Sequence, residues 1–384
     1  MIYLDYQATT PVDERVLAKM LPFFSQNFAN PSSSHKFGES VQEEVSRARK
    51  KIADAIGAEP HEIIFTSGAT ESNHLAFYSA LELLKRLGKT HMIVSAIEHK
   101  SVLELAKKFA KKGFSLSILP VNKKGFVEID RFKREVCEST GLVSIMTANN
   151  EIGTIQPVVE IGEFCAENDL IFHTDAAQAI GRVPFDVSEV KCLFVSLASH
   201  KVYGPKGVGA LYIRGNASKM GLDPFFAGGN QEGGMRSGTL NVPAIVGFGE
   251  AVSIALDETK ADNQKAQKQL DRFWEILSGR LDRLQINGPS GRRLPNNLNV
   301  CFENVDSDAL ITSLPDVAIS NGSACTARAI TPSHVLKAIG LTDDEAFSSI
   351  RIGVGRMTKD EEIEEAAKLI VGQVNRIRNL SKRL

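Results

Sequence analysis

Between residues 60 and 215 the chain alternates short β-branched apolar runs with helical stretches. That alternation leaves few architectures open other than a mostly parallel sheet covered by helices. EIIFT (62–66) reads as a strand, followed by a turn of small residues and a helix from Glu71. HMIVSA, LVSIMTA, LIFHTDA and CLFVSLA repeat the theme, each ending in polar residues where the apolar run stops. Ligands of open α/β sheets gather beyond the carboxyl ends of the strands, so those polar residues are the first candidates for chemistry.

Beyond the Gly-rich stretch 228–238, the polar segment from about 258 to 284 reads as a solvent-facing helical crossover into a second unit. LNVCF and DEEIEEAAKLIVGQVNRI then give an α+β pattern rather than strict alternation. The expected division is a large unit, residues 14–255, and a smaller one made of residues 1–13 and 256–384. A chain of 384 residues, 43% of them hydrophobic, can bury a core in each. Forty-five Lys and Arg stand against 46 Asp and Glu, which leaves no basic field to draw nucleic acid or an anionic membrane. The basic tail at Arg376, Lys382 and Arg383 reads as a solvated complement to a helix C-terminus. No apolar run approaches the ~20 residues needed to span a bilayer. MIYLDYQATT has no basic-then-apolar leader, so a soluble, cytosolic protein is expected. Cys137, Cys165, Cys192, Cys301 and Cys325 form no CxxC pair and no metal spacing. They read as free thiols, the first four as packing residues.

Four groups of residues could carry chemistry. Ser67-Gly68-Ala69-Thr70-Glu71-Ser72-Asn73 joins a strand to a helix, where unpaired N–H groups and the helix dipole suit a phosphate. The same residues also cap ordinary helices. His200-Lys201 follows the strand CLFVSLA. A lysine at the buried end of a core strand is costly unless its pKa falls, and a depressed pKa is what a Schiff-base lysine needs. Asp175 and Gln178 stand at the end of LIFHT, and His99 at the end of HMIVSAIE. An acid facing a pyridine nitrogen and an imidazole over the ring are what such a cofactor requires. Cys325 sits among small polar residues in ISNGSACTAR, the setting of an exposed nucleophile, and Arg351 in SSIRIG could hold a carboxylate by a bidentate fork.

Together these segments resemble the cysteine desulfurases of the NifS/IscS class, fold-type I pyridoxal-phosphate enzymes. The likeness runs through YLDYQATTPVD, NPSSSHKFG (30–38), SGATESN, EHKSV, NNEIGTIQP (149–157), HTDAAQAIG (173–181), SHKVYGPKGVGALYI, GGMRSGTLNVPAIVGFGEA, SNGSACTAR and SSIRIGVGR, in that order. It implies a mostly parallel seven-stranded sheet in the large domain, a smaller α+β domain carrying the cysteine loop, and the cofactor pyridoxal 5'-phosphate. Lys201 would be the Schiff-base lysine, with Asp175 on the ring nitrogen, Gln178 on the ring oxygen and His99 stacked above. Ala69, Thr70, Ser199 and His200 would hold the phosphate, completed by Thr239 of a second subunit, so a homodimer with shared sites is implied. Asn150 and Arg351 would orient L-cysteine, and Cys325 would take its sulfur as a persulfide for an acceptor protein.

Two positions depart from the family pattern. The family's Ser-x-His-Lys is here Ala198-Ser199-His200-Lys201, and its Gln-Glu-Arg-Gly is Gln231-Glu232-Gly233-Gly234. A selenocysteine lyase or another pyridoxal-phosphate lyase would share everything except a nucleophilic thiol, which Cys325 supplies. A cofactor-binding remnant serving only as an interaction scaffold would have no use for Lys201, Asp175, His99, Cys325 and Arg351 together. A dinucleotide oxidoreductase would need a GxGxxG fingerprint after a strand, and there is none.

Overall fold

The computed structural model describes residues 1–381 apart from 216, 218, 219, 223–225 and 322–330. After a short strand β1 (Ile2–Tyr3), seven strands build the main sheet: β2 (Ile63–Thr66), β3 (His91–Ser95), β4 (Ser115–Leu119), β5 (Thr140–Ser144), β6 (Ile171–Asp175), β7 (Phe194–Ala198) and β8 (Gly209–Ile213). Their order is β2-β8-β7-β6-β5-β3-β4, with β8 antiparallel to both neighbours and every other pairing parallel. This is the mostly parallel seven-stranded sheet the resemblance implied.

The central strands are buried on both faces, which is why their sequences read as almost continuous apolar runs. Successive residues still point to opposite sides. Ile93, Val143, Val195 and Leu197 enter a core with the helices Lys36–Ala55 and Val242–Ser278, while Met92, Val94, Leu142 and Phe194 enter a second core with the helices Ala69–Leu87 and Lys100–Ala110.

The rest of the chain packs around a separate core. Strands β9 (Leu284–Asn287), β10 (Asn297–Phe302) and β12 (Ser349–Gly353) form an antiparallel sheet in the order β12-β10-β9, and β11 (Val317–Ala318) pairs in parallel with β1. On β12, Ile350 and Ile352 face this core, so the alternation turns the buried Arg351 to the opposite side.

One expectation needs correcting. The segment 258–284 is mainly the second half of a single 37-residue helix, Val242–Ser278, which crosses to the second core as expected but buries one face there rather than facing solvent all round. Its first half, through Ala255, packs on the main sheet, and Ala266, Leu270, Phe273 and Leu277 pack in the core around β10 and β12. The polar residues between are the outer face of an amphipathic rod.

Close packing also fixes the helix Val158–Glu167. A Cβ at Gly162 would stand 1.8 Å from the carbonyl oxygen of Val190, which belongs to backbone and cannot swing aside. Gly162→Ala should therefore lower stability by about 1–3 kcal/mol, read as an earlier midpoint in urea. An unchanged midpoint would mean that the two segments separate freely.

Candidate active site

A cavity of about 470 Å³ opens at the carboxyl ends of the parallel strands. Of the residues singled out from the sequence, Ala69, Thr70, His99, Asn150, Asp175, Gln178, His200, Lys201 and Arg351 all line it. They arrive on several elements: Asp175 ends β6, His200 and Lys201 follow β7, His99 caps the helix Lys100–Ala110, Ala69 and Thr70 open the helix Ala69–Leu87, and Arg351 comes from β12.

Lys201 Nζ donates to the carbonyl oxygens of Gln7 at 2.5 Å and Ala8 at 2.9 Å. Among the described residues no carboxylate hydrogen-bonds it, and two donated bonds are within reach of a neutral amine. Burial, then the positive charges of Arg351 and Arg182, push its pKa down to about 7, against a smaller pull from Asp175 and Asp5.

Asp175 is buried, its Oδ1 accepting the Ala177 N–H at 3.0 Å and its Oδ2 the Asn73 amide at 2.9 Å. Behind it, His173 bridges the hydroxyls of Ser144 and Ser196, and burial lowers its pKa to about 4. It therefore adds no positive charge beside Asp175 at neutral pH. His200, hydrogen-bonded to Thr9 Oγ1 at 3.1 Å, is pushed down to about 4 by burial and by Lys201. It can offer a phosphate a hydrogen bond but not a cation.

The helix Ala69–Leu87 begins at Gly68, whose φ of 147° belongs to glycine, and a Cβ there would meet no atom within 4 Å. Open space thus lies beside a helix N-terminus whose first N–H groups have no intrahelical acceptors. On the far side, Arg351 is 1% exposed and is steadied by Asp5 Oδ1 at 2.7 Å and the carbonyl of Asn150 at 3.2 Å.

Ser199 and Thr239 fall elsewhere. Ser199 is buried, but its hydroxyl points at Gly204, where an added Cβ would stand only 2.0 Å from it, and Ser199 does not line the cavity. β7 ends at Ala198, which lines the cavity, and Ser199 opens a 3-10 turn that aims its hydroxyl at Gly204 instead. Thr239 is exposed, away from this chain's cavity. Cys325 lies outside the described residues. Cys165, Cys192 and Cys301 are buried as expected, whereas Cys137 is exposed, its thiol held near Ser139 and Thr140 and its pKa lowered by those hydroxyls.

Sequence reasoning missed two buried acids of the cavity wall, Glu98 and Glu151. Burial raises the Glu98 carboxyl well above the usual range. Glu151, which accepts the Ser333 hydroxyl at 2.5 Å, is raised to about 7. Their signal was present in IEHKS and NNEIG, where an acid stands beside His99 and Asn150 in the loops that follow β3 and β5.

These residues fit pyridoxal phosphate: a buried lysine hydrogen-bonded only to carbonyl oxygens among the described residues, an acid on the floor, an unfilled helix N-terminus and a Gln178 Oε1 that is buried with no hydrogen-bond partner among them. The family model for class-V aminotransferases matches residues 2–365. The chain is 46% identical over 381 residues to the cysteine desulfurase IscS of Neisseria meningitidis serogroup C, covering 99% of this chain and 94% of that protein. The chain belongs to the class-V aminotransferases, among the cysteine desulfurases of the NifS/IscS class. Among solved structures, a NifS-like protein superposes with a TM-score of 0.90 at 36% identity, covering 97% of this chain and 99% of the other. SspA in complex with cysteine gives 0.82 at 40% identity, covering 92% and 99%. Members of this family are pyridoxal-phosphate enzymes, and among the described residues no helix is long and apolar enough to cross a membrane.

The lowered pKa of Lys201 has a direct consequence, because only the neutral amine attacks an aldehyde. The rate at which protein stripped of cofactor takes up pyridoxal phosphate should climb between pH 6 and pH 8 and level off above, with a midpoint of about 7. A rate still climbing towards about pH 10, the range of an ordinary lysine, would contradict the buried environment.

Proposed function

We propose that this chain removes sulfur from L-cysteine, releases L-alanine, and holds the sulfur as a persulfide on Cys325 for transfer to an acceptor protein. The observation that carries the reading is the buried Lys201, hydrogen-bonded only to carbonyl oxygens among the described residues and set in one cavity with Asp175, His99 and Arg351. Sulfur mobilisation from cysteine fits the IscS relatives and the structural neighbour solved with cysteine.

In this reading Ala69, Thr70 and His200 hold the phosphate, Asp175 faces the ring nitrogen, Gln178 the ring oxygen, and Lys201 forms the covalent link. When bound, pyridoxal phosphate supplies an electron sink for the pair left on the substrate's Cα. Arg351, with the Asn150 side chain, receives the substrate carboxylate and so fixes which substituents face Lys201 and which face His99. Lys201, buried and with its pKa lowered to about 7, would serve as a neutral base suited to take the Cα proton and return it. The Cys325 thiolate then attacks the substrate sulfur. A sulfur–sulfur bond forms, the carbon–sulfur bond breaks with its electron pair going to the carbon side, and protonation of that carbon yields alanine.

The same reading assigns residues 14–255 to a cofactor-binding domain and residues 1–13 and 256–384 to a smaller one bearing the cysteine loop. It also assigns a homodimer, in which the exposed Thr239 completes the partner's phosphate site, and a cytosolic setting where Cys325 stays reduced. The acceptor is an iron-sulfur scaffold or a thiolation enzyme.

Alanine release from L-cysteine, with a thiol reductant present and equal cofactor loading, tests the reaction. Cys325→Ala should lower it on the order of a hundredfold or more, as loss of a nucleophile does. Equal alanine from both proteins would replace the persulfide route with a lyase that expels sulfur directly.

A further inference from the structure

Two side chains outside the assigned machinery connect its two halves. Ser101 lies in the first turn of the helix that His99 caps, and Asn73 in the helix that begins at Ala69. Asn73 Nδ2 lies 2.9 Å from Asp175 Oδ2 and 2.9 Å from Ser101 Oγ. Ser101 Oγ lies 2.7 Å from His99 Nδ1, and the Ser101 backbone N–H donates to the same nitrogen at 3.2 Å.

The direction of every bond in this chain follows from its ends. An ionised carboxylate only accepts, so the Asn73 amide nitrogen, not its oxygen, faces Asp175. The second hydrogen of that NH2 goes to Ser101 Oγ, which leaves the serine's own hydrogen for His99 Nδ1. Nδ1 then receives both an O–H and a backbone N–H, so a neutral His99 carries its proton on Nε2.

We propose that Ser101 and Asn73 are positioning residues that hold His99 as its Nε2–H tautomer and tie it to Asp175. Resting on the function proposed above, this makes His99 a hydrogen donor at the start of each turnover, and it leaves proton abstraction at Cα to Lys201. A ring held at both its tautomer and its angle is also a better stacking face than one free to flip.

The test is nitrogen-15 spectroscopy of histidine-labelled protein, with and without pyridoxal phosphate, the His99 signals being assigned by their loss in His99→Gln. The intact protein should show Nε2 protonated and Nδ1 as an acceptor. In Ser101→Ala the two nitrogens should move towards averaged positions, while kcat for alanine release falls about tenfold and KM for cysteine changes by less than about twofold. Ser101→Thr should restore both signals and rate, because the hydroxyl returns. His99 signals in Ser101→Ala identical to those of the intact protein would overturn the proposal, as would a change confined to KM. The spectra do not depend on turnover, so an intact protein that fails to release alanine would count against the proposed function and leave the tautomer assignment readable.

Discussion

The structure turns on the desolvation of one amine. Lys201 is enclosed by the N-terminal segment Gln7–Ala8, by Arg182 and Arg351, and by Asp175 below, with no carboxylate hydrogen-bonded to it among the described residues. An isolated ammonium in such a place is expensive, and the group responds by giving up its proton near neutrality. A loss of stability for the ligand-free fold thus becomes a reactive amine for the loaded one. In the proposed reading one of the two arginines that depress Lys201, Arg351, also receives the substrate carboxylate.

Bringing these groups together is a matter of topology. Parallel strands deliver Asp175, His200 and Lys201 to one edge of the main sheet. Arg351 belongs to a different sheet, buried in its own core, and reaches the cavity because the helix Val242–Ser278 runs unbroken through both bodies of packing. Pairing of β1 with β11 and the bond from Asp5 to Arg351 close the arrangement from the N-terminal side. The cavity is therefore a product of three distant stretches of chain.

Strand periodicity made much of this legible. The runs ending at Ser95, Ser144, Asp175 and Ala198 announced a parallel sheet, and the polar residues at their ends announced the site. What was not legible depended on contacts across the fold. Ser199 reads in sequence as a substitute for the hydroxyl absent at Ala198, yet it opens a 3-10 turn that aims its hydroxyl at Gly204 instead. Glu98 and Glu151 read as ordinary charges, because their burial and their hydrogen-bond donors, Met146 N–H and the Ser333 hydroxyl, come from remote segments brought together by the fold. The polar run after residue 258 was legible as a helix but not as a buried one, since its apolar positions are spaced by the helical period and diluted by Lys, Gln and Asp.

The central claim is that Lys201 holds the cofactor covalently. The most direct measurement is borohydride reduction of the protein loaded with pyridoxal phosphate, followed by mass mapping of its peptides. The account predicts the phosphopyridoxyl group on Lys201, at about one per chain, with none in Lys201→Ala. A label on Lys100 or Lys206, the other lysines of the cavity wall, or no covalent label at all, would contradict it.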